Sequence, residues 1–175
     1  LLKSAFVLKS LSVENHVPQI GAWDSGKPIL LSTGMAYLGE VEEAVRHIQQ
    51  YSDAPLALLH CVSDYPALEI DVNLRAMETL RHAFNLPVGY SDHTPGLIVS
   101  VAAVALGAQI IEKHFTLDRT LPGPDHRASL EPDELTALVQ AIRNVELALG
   151  NGIKRPTARE LHTAQVARKS LVSHC

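Results

Sequence analysis

The chain has 175 residues, 46% of them hydrophobic, and a formal net charge of −4 at pH 7. This length and composition predict a globular domain with a buried core and exclude a disordered tail. The negative charge and the scattered lysine and arginine residues argue against nucleic acid or an anionic membrane surface as a partner, because those partners select for a basic face.

Five short apolar runs, each bounded by turn residues, predict five β-strands. The runs are residues 5–10, 27–33, 56–62, 87–91 and 108–115, of which the fourth has the weakest pattern. Longer segments with helical spacing of apolar residues separate them. This alternation predicts an α/β fold built from β-α units around a parallel sheet.

The segments between and after the runs predict helices. Helical spacing is found at residues 41–48, 72–80 and 132–149. Residues 96–106, rich in alanine and valine, predict a further, buried helix, and residues 159–168 a short one. The helix at residues 132–149 has the clearest limits, because Pro132 stands in its first turn and Gly150 follows its last apolar residue.

Neither a membrane span nor a disulfide framework is predicted. The longest strongly apolar stretch, residues 97–108, falls short of the ~20 residues that a transmembrane helix needs. The two cysteines, Cys61 and Cys175, form no CxxC pair, which is typical of proteins from a reducing compartment. We therefore expect a soluble, cytoplasmic protein.

Consecutive β-α units fit either an open doubly wound sheet or part of an eight-stranded barrel. A glycine-rich dinucleotide fingerprint follows none of the runs, which argues against the first. Polar residues instead end run after run, as expected where several strands of a (β/α)8 barrel supply one active-site face. These residues are Lys9, Ser12, Ser32, Thr33, Ser63, Tyr65, Ser91, His93, Glu112 and His114.

Two of these residues, His93 in YSDHT and His114 in IIEKHF, are candidate metal ligands. They end neighbouring predicted strands, which lie about 4.8 Å apart in a sheet. Two imidazoles leave most positions of an ion open, so such a site suits an octahedral ion such as Mn²⁺ that polarises a substrate oxygen. The spacing alone has no motif specificity and favours ordinary hydrogen-bonded histidines, and His60 carries the same ambiguity.

Further polar residues are candidates for binding an anionic substrate. Lys9, Ser12, Ser32 and Ser91 offer one charge and several hydroxyls for a phosphate or carboxylate. Each of them alone is also typical of a solvated lysine or a turn serine.

Three residues are candidates for acid-base or sugar-binding roles. Asp125 could hold a sugar hydroxyl or move a proton, although aspartate is also a common turn residue. Glu14 could be an acid-base group or the first-turn acid of a helix, and Tyr65 could bind substrate or pack.

The motifs taken together resemble the sialic acid synthase (N-acetylneuraminate synthase) family, which includes legionaminate and pseudaminate synthases. The matching segments are KPILLSTGM, LLHCVSDYP with EIDVNL, PVGYSDHTPG, AVALGAQIIEKHFTLDR, GPDHRASLEPDEL and VARKSLV. They span nearly the whole chain from Lys27 onward, and their combination is highly specific. Upstream, VLKSLSVENHVPQI resembles the family segment K-x-x-S-G-E, with Val13 in place of the glycine.

The resemblance implies a (β/α)8 TIM-barrel fold of which strands 4 to 8 and their helices are present. Residues 1–150 are then a partial barrel domain, and residues 151–175 are a linker toward an antifreeze-like (SAF) domain. The family also implies a homodimer in which that domain reaches over the partner's active site.

The resemblance further implies a metal-dependent condensation of phosphoenolpyruvate with an N-acylated aminosugar of the N-acetylmannosamine type, which releases phosphate. The metal, Mn²⁺ with Mg²⁺ or Co²⁺ as alternatives, corresponds by motif to the ligands His93 and His114. Positions that bind phosphoenolpyruvate correspond to Lys9, Ser12, Ser32, Ser63 and Ser91, and catalytic or sugar-contacting positions correspond to Glu14, Tyr65 and Asp125.

Two other functions remain open from the sequence. The chain could be an inactive fragment or an interaction subunit of such a synthase that needs a complementary chain, because five strands of a barrel leave a parallel strand open at each edge. It could also be a metal-free aldol-type barrel, in which Lys9 or Lys113 forms a Schiff base.

Overall fold

The structure is a computed structural model that describes residues 5–10, 27–123 and 125–168, with the backbone alone for residues 5–10. The strands are β1 (Ala5–Ser10), β2 (Ile29–Ser32), β3 (Leu56–Cys61), β4 (Val88–Asp92) and β5 (Ile110–Phe115). The helices are α1 (Leu38–Tyr51), α2 (Ala76–Phe84), α3 (Ile98–Ala105), α4 (Pro132–Leu149) and α5 (Ala158–Ala167). All ten predicted elements are therefore confirmed within a few residues at their ends.

One helix begins later than its apolar pattern predicts. The stripe at residues 72–80 includes Val72, but Val72 follows a short 3₁₀ helix, Glu69–Asp71, and α2 begins at Ala76. Asn73 adopts a left-handed backbone conformation with φ 47°. Such a residue interrupts a right-handed helix, because successive helical residues need φ near −60°.

The five strands form one parallel sheet in the order β1-β5-β4-β3-β2. From β2 to β5, strands that follow each other along the chain lie side by side, as in a barrel. The first strand pairs with β5 along its whole length, from Ala5 with Ile110 to Ser10 with Phe115. The sheet thus curls into a half-barrel with β1 and β2 at its edges.

Helices α1 to α4 pack on one face of this sheet and form the core with it, whereas α5 has no buried residue. Strand residues that face the helices include Leu58, Val88, Tyr90 and Ile111, each at most 1% exposed. Because side chains alternate along a strand, their neighbours point to the opposite, concave face. Within the described residues, none of the helices combines the length and apolarity that a bilayer-spanning segment needs.

Gly89 on β4 lies in close contact with both neighbouring strands. A Cβ atom at this position would lie 2.5 Å from the Ile110 carbonyl oxygen and 2.7 Å from Leu59 Cδ2. A contact with backbone atoms cannot be relieved by a rotamer change, so the absence of a side chain allows β4 to lie between its neighbours.

We expect Gly89→Ala to lower the free energy of unfolding by about 1–3 kcal/mol, because an added methyl overpacks this position. Urea denaturation measures the change. Gly39→Ala on α1 is the matched control, since a Cβ there meets nothing within 4 Å and alanine favours the helix. Equal stability changes in the two variants would contradict the close approach at Gly89.

Candidate metal and substrate site

The candidate site lies on the concave face, at the carboxyl ends of β4 and β5. Tyr90 and Ile111 point into the core, so the next residues, Ser91 and Glu112, point the other way. These two are direct partners in the strand register. The Ser91 hydroxyl donates a 2.7 Å hydrogen bond to Glu112 Oε1, which ties the two strands together on this face.

The two predicted metal ligands come together at this site. The ring centroids of His93 and His114 are 5.4 Å apart, with the ring planes at 71°. Both residues are buried. With metal–nitrogen distances of about 2.1 Å, rings at this separation and angle can share one ion.

The hydrogen bonds of His93 determine which ring nitrogen faces the site. Its Nδ1 lies 2.6 Å from the Val62 carbonyl oxygen, which can only accept, so Nδ1 carries the proton. In the neutral ring Nε2 then has a lone pair, and it lies 3.3 Å from Ser91 Oγ. A backbone carbonyl bonded to the second ring nitrogen is the usual arrangement around a metal-binding histidine.

The donor set therefore fits a divalent cation. The Ser91 hydroxyl donates its one proton to Glu112, so it does not donate to His93 Nε2. The Nε2 lone pair and the Glu112 carboxylate are therefore both electron-rich groups. Across the part of the chain that the structure describes, no cluster of three or more His, Cys, Asp and Glu side chains surrounds one metal position. Among the described residues, the candidate ligands at this site are the two histidines, which leave positions on an ion open for substrate or water.

Tyr65 lies over the two histidines. Its ring centroid is 4.2 Å from that of His93 and 5.5 Å from that of His114. Burial raises the pKa of the Tyr65 hydroxyl, and the negative charge of Asp125 raises it further. The hydroxyl is therefore protonated at neutral pH and can donate a hydrogen bond to a substrate oxygen.

Asp125 opens the short 3₁₀ helix Asp125–Ala128, which follows β5. The Ser129 hydroxyl donates to the Asp125 carbonyl oxygen at 2.8 Å and closes this turn. The negative charge of Asp125 acts on the Tyr65 hydroxyl, so the two predicted sugar-contacting residues interact electrostatically.

The other predicted serines stand at the same edge of the sheet, on neighbouring strands. Ser32 ends β2 and is exposed, and Ser63 follows β3 in an exposed loop. The Ser63 hydroxyl packs against Gly34, and its oxygen would lie 2.2 Å from a Cβ atom added to that glycine.

Three predicted residues are described incompletely or not at all. Lys9 lies on β1, where its Cα is the register partner of His114, and the backbone alone is described there. Ser12 and Glu14 lie outside the described residues. Their roles remain predictions.

His60 and Lys113 do not belong to the site. His60 Nε2 lies 2.8 Å from the Val72 carbonyl oxygen, which supports the interpretation of His60 as a structural residue. Lys113 is 2% exposed and forms an ion pair with Asp92 at 2.9 Å, so its amine is not presented to a substrate. This geometry argues against Lys113 as a Schiff-base nucleophile.

Two features of the site were not predicted from the sequence. Glu112 was expected at a strand end without a role, and the structure shows that it orients the Ser91 hydroxyl. The Val62 carbonyl, which fixes the His93 ring, has no signal in the sequence because every residue has a carbonyl. Because side chains alternate along a strand, the order of residues in YSDHT could have indicated that Ser91 and His93 point to one face of the sheet and Asp92 to the other.

Comparisons with known proteins give this site a context. Residues 10–154 match the model of the NeuB family. N,N'-diacetyllegionaminic acid synthase of Campylobacter jejuni subsp. jejuni is 53% identical over 149 residues, which cover 84% of this chain and 45% of that protein. The chain thus spans less than half the length of this relative.

Solved structures show the same fold. An N-acetylneuraminic acid (sialic acid) synthetase from Leptospira borgpetersenii, crystallised with citrate, matches with a TM-score of 0.73 and 44% identity over 85% of this chain and 53% of that chain. A truncated 3-deoxy-D-arabino-heptulosonate 7-phosphate synthase from Thermotoga maritima matches with a TM-score of 0.64 at 22% identity, over 76% of this chain and 54% of that chain, which shows a shared fold alone. The predicted α/β fold of the TIM-barrel type is confirmed.

Proposed function

Because the chain belongs to the NeuB family, we propose that it forms part of a synthase that makes a sialic acid or a related nonulosonic acid from phosphoenolpyruvate and an N-acylated aminosugar of the N-acetylmannosamine type. In this reaction C3 of phosphoenolpyruvate bonds to the aldehyde carbon of the open-chain sugar. Water adds at C2, the bond from C2 to the phosphate oxygen breaks, and inorganic phosphate leaves.

The observation that supports this proposal most strongly is the His93–His114 pair, with the Nε2 lone pair of His93 on the concave face. These two residues would hold a divalent ion, Mn²⁺ or else Mg²⁺ or Co²⁺. When bound, such an ion polarises the sugar carbonyl and makes its carbon a better electrophile.

The remaining residues of the site act on the two substrates. Ser32 and Ser63 donate hydrogen bonds to phosphoenolpyruvate. Ser91 also contacts phosphoenolpyruvate, and Glu112 holds the Ser91 hydroxyl in place by accepting its hydrogen bond. Tyr65 and Asp125 contact the aminosugar, with Asp125 accepting a proton or a hydroxyl hydrogen bond. Lys9 and Ser12 complete the phosphate site, and Glu14 serves as an acid-base group.

The proposal covers the whole protein to which these residues belong. In it, residues 1–150 are part of the barrel, residues 151–175 lead toward an antifreeze-like domain, and two copies form a homodimer. The substrates are its small-molecule partners, and neither nucleic acid nor a membrane is among its partners.

A second candidate function is an interaction subunit that is inactive until a complementary chain closes the sheet. Two open edges of the described sheet, β1 and β2, favour this alternative, because unpaired parallel edges are stabilised by further strands. On the edge strand β2, Leu30 is 37% exposed, and added strands would cover it.

Phosphate release separates the two candidates. The purified chain is incubated with phosphoenolpyruvate, N-acetylmannosamine and Mn²⁺, with and without EDTA. The proposed synthase predicts release that requires the sugar and is abolished by EDTA and by His93→Ala, whereas His82→Ala on the exposed side of α2 is the matched control. No release from folded chain that binds Mn²⁺ would instead support the interaction subunit.

A further inference from the structure

A buried polar network lies on the helix-facing side of β4 and β5, directly behind the two histidines. Its members are Asp92, Thr94, Ser100 and Lys113, each at most 2% exposed. Ser100 belongs to α3, and its hydroxyl donates to Asp92 Oδ2 at 2.5 Å. The Asp92 side chain therefore points toward α3, away from the concave site.

Every oxygen of the Asp92 carboxylate is engaged. Oδ1 accepts from the backbone N–H of Thr94 at 2.9 Å and from its hydroxyl at 2.7 Å. Oδ2 accepts from Ser100 and from the Lys113 ammonium group, which is 2.9 Å away. Lys113 also donates to the Thr94 carbonyl oxygen at 2.5 Å.

The network holds the backbone on both sides of His93. Asp92 precedes His93, and Thr94 follows it. Asp92 binds the N–H and the hydroxyl of Thr94, and Lys113 binds its carbonyl. The chain therefore turns at His93 with both flanking residues fixed.

The same network sets the position of His114. Asp92 and Lys113 are Cα partners across β4 and β5, and the next residue on each side is a histidine. Since side chains alternate, the ion pair joins the strand ends on one face and leaves the two rings to meet on the other.

Stability alone does not account for a charged pair at this place. Replacing a buried ion pair with neutral residues of similar volume is often neutral for folding or stabilising by about 1–4 kcal/mol, because desolvation offsets the attraction. A precisely bonded pair fixes geometry, whereas an apolar pair of the same size does not.

We propose that Asp92, Thr94 and Lys113 are positioning residues that fix the His93 and His114 rings, and with them the Nδ1-protonated form of His93, for a divalent ion. The positioning of the rings stands on the contacts above. Its relevance to an ion rests on the proposed function.

The first test is the double variant Asp92→Asn with Lys113→Met, which removes both charges and leaves no unpaired one. We expect Mn²⁺ binding, measured by isothermal titration calorimetry, to weaken by roughly 10–100-fold, the usual effect of losing a group that orients a metal ligand. The control replaces a partly exposed ion pair away from the site, Arg143→Met with Glu146→Gln on α4, whose atoms are 2.8 Å apart. The control should bind Mn²⁺ as the unchanged chain does.

A second readout needs no metal. The ¹⁵N chemical shifts of the His93 ring report which nitrogen carries the proton. In the unchanged chain and in the control we expect the Nδ1-protonated form, as the bond to the Val62 carbonyl requires. In the double variant we expect a mixture of both forms.

These readouts distinguish the two claims. If the unchanged chain binds no Mn²⁺, the proposed metal site fails, and the ¹⁵N shifts alone decide the positioning claim. A folded double variant with unchanged His93 shifts overturns the positioning claim, whether or not Mn²⁺ binds.

If the double variant does not fold, two milder variants at Thr94 test the positioning claim. Thr94→Val keeps the shape of the side chain and removes its hydroxyl bond to Asp92, and Thr94→Ser retains the hydroxyl. We expect Thr94→Val to disturb the His93 shifts and to weaken any Mn²⁺ binding several-fold, and Thr94→Ser to restore both. Identical His93 shifts in the two variants would overturn the inference.

Discussion

Replacing His93 or His114 with alanine is expected to weaken Mn²⁺ binding by at least about 100-fold. Groups that only orient a metal ligand already account for roughly 10–100-fold, and a two-histidine site that loses one imidazole retains a single strong ligand. Calorimetric titration of each variant with Mn²⁺ measures the loss. Each ring is proposed to bind the same ion through one nitrogen, so we expect the two variants to lose similar affinity.

His82→Ala is the control for this experiment, because His82 is exposed on α2. Circular dichroism of each variant checks that the fold is intact. Retention of full affinity in either folded variant, or an equal loss in the control, would contradict the assignment of the two ligands.

Replacing Lys113 with methionine alone is expected to lower the free energy of unfolding by about 3–5 kcal/mol. The change leaves the carboxylate of Asp92, which is fully buried, without its cation, and an uncompensated buried charge has a cost of this size. That is a large part of the roughly 5–15 kcal/mol by which a native domain is stable. Urea denaturation measures it.

Adding Asp92→Asn to this variant should restore most of the lost stability, because the unpaired charge is removed and the amide can still accept hydrogen bonds. The two substitutions are thus expected to be strongly non-additive, as for residues in direct contact. A loss below about 1 kcal/mol for Lys113→Met, or additive effects of the two changes, would mean that the 2.9 Å ion pair does not exist in solution.

The strands and helices were largely predictable because most of them carry strong local patterns. The weak pattern of residues 87–91 has a physical reason in the structure. All five residues of β4 are buried, yet Gly89 and Ser91 are not apolar, since Gly89 allows close approach and Ser91 belongs to the site. The residues that the concave face carries therefore weaken the apolar pattern that identifies the strand.

The position of β1 beside β5 was not predictable from local sequence. A short apolar run predicts a strand, but its neighbour depends on which sheet edge is open. In the described sheet β5 pairs with β4 on one side and with β1 on the other. Local pattern carries no information about that choice.

The meeting of His93 and His114 was predictable from their places at the ends of adjacent parallel strands. Their chemistry was not, because spacing alone favoured ordinary histidines. The structure adds the bond from His93 Nδ1 to the Val62 carbonyl, which turns Nε2 into an acceptor on the concave face. That bond comes from a neighbouring loop, so neither motif contains it.

Pulsed electron paramagnetic resonance of Mn²⁺ bound to the chain is the decisive test of the two-histidine site, because it detects the nitrogen nuclei that bind the ion. We expect couplings to two imidazole nitrogens, one of which disappears in His93→Ala and the other in His114→Ala. Bound Mn²⁺ without imidazole couplings, or with couplings that survive both substitutions, would contradict this expectation.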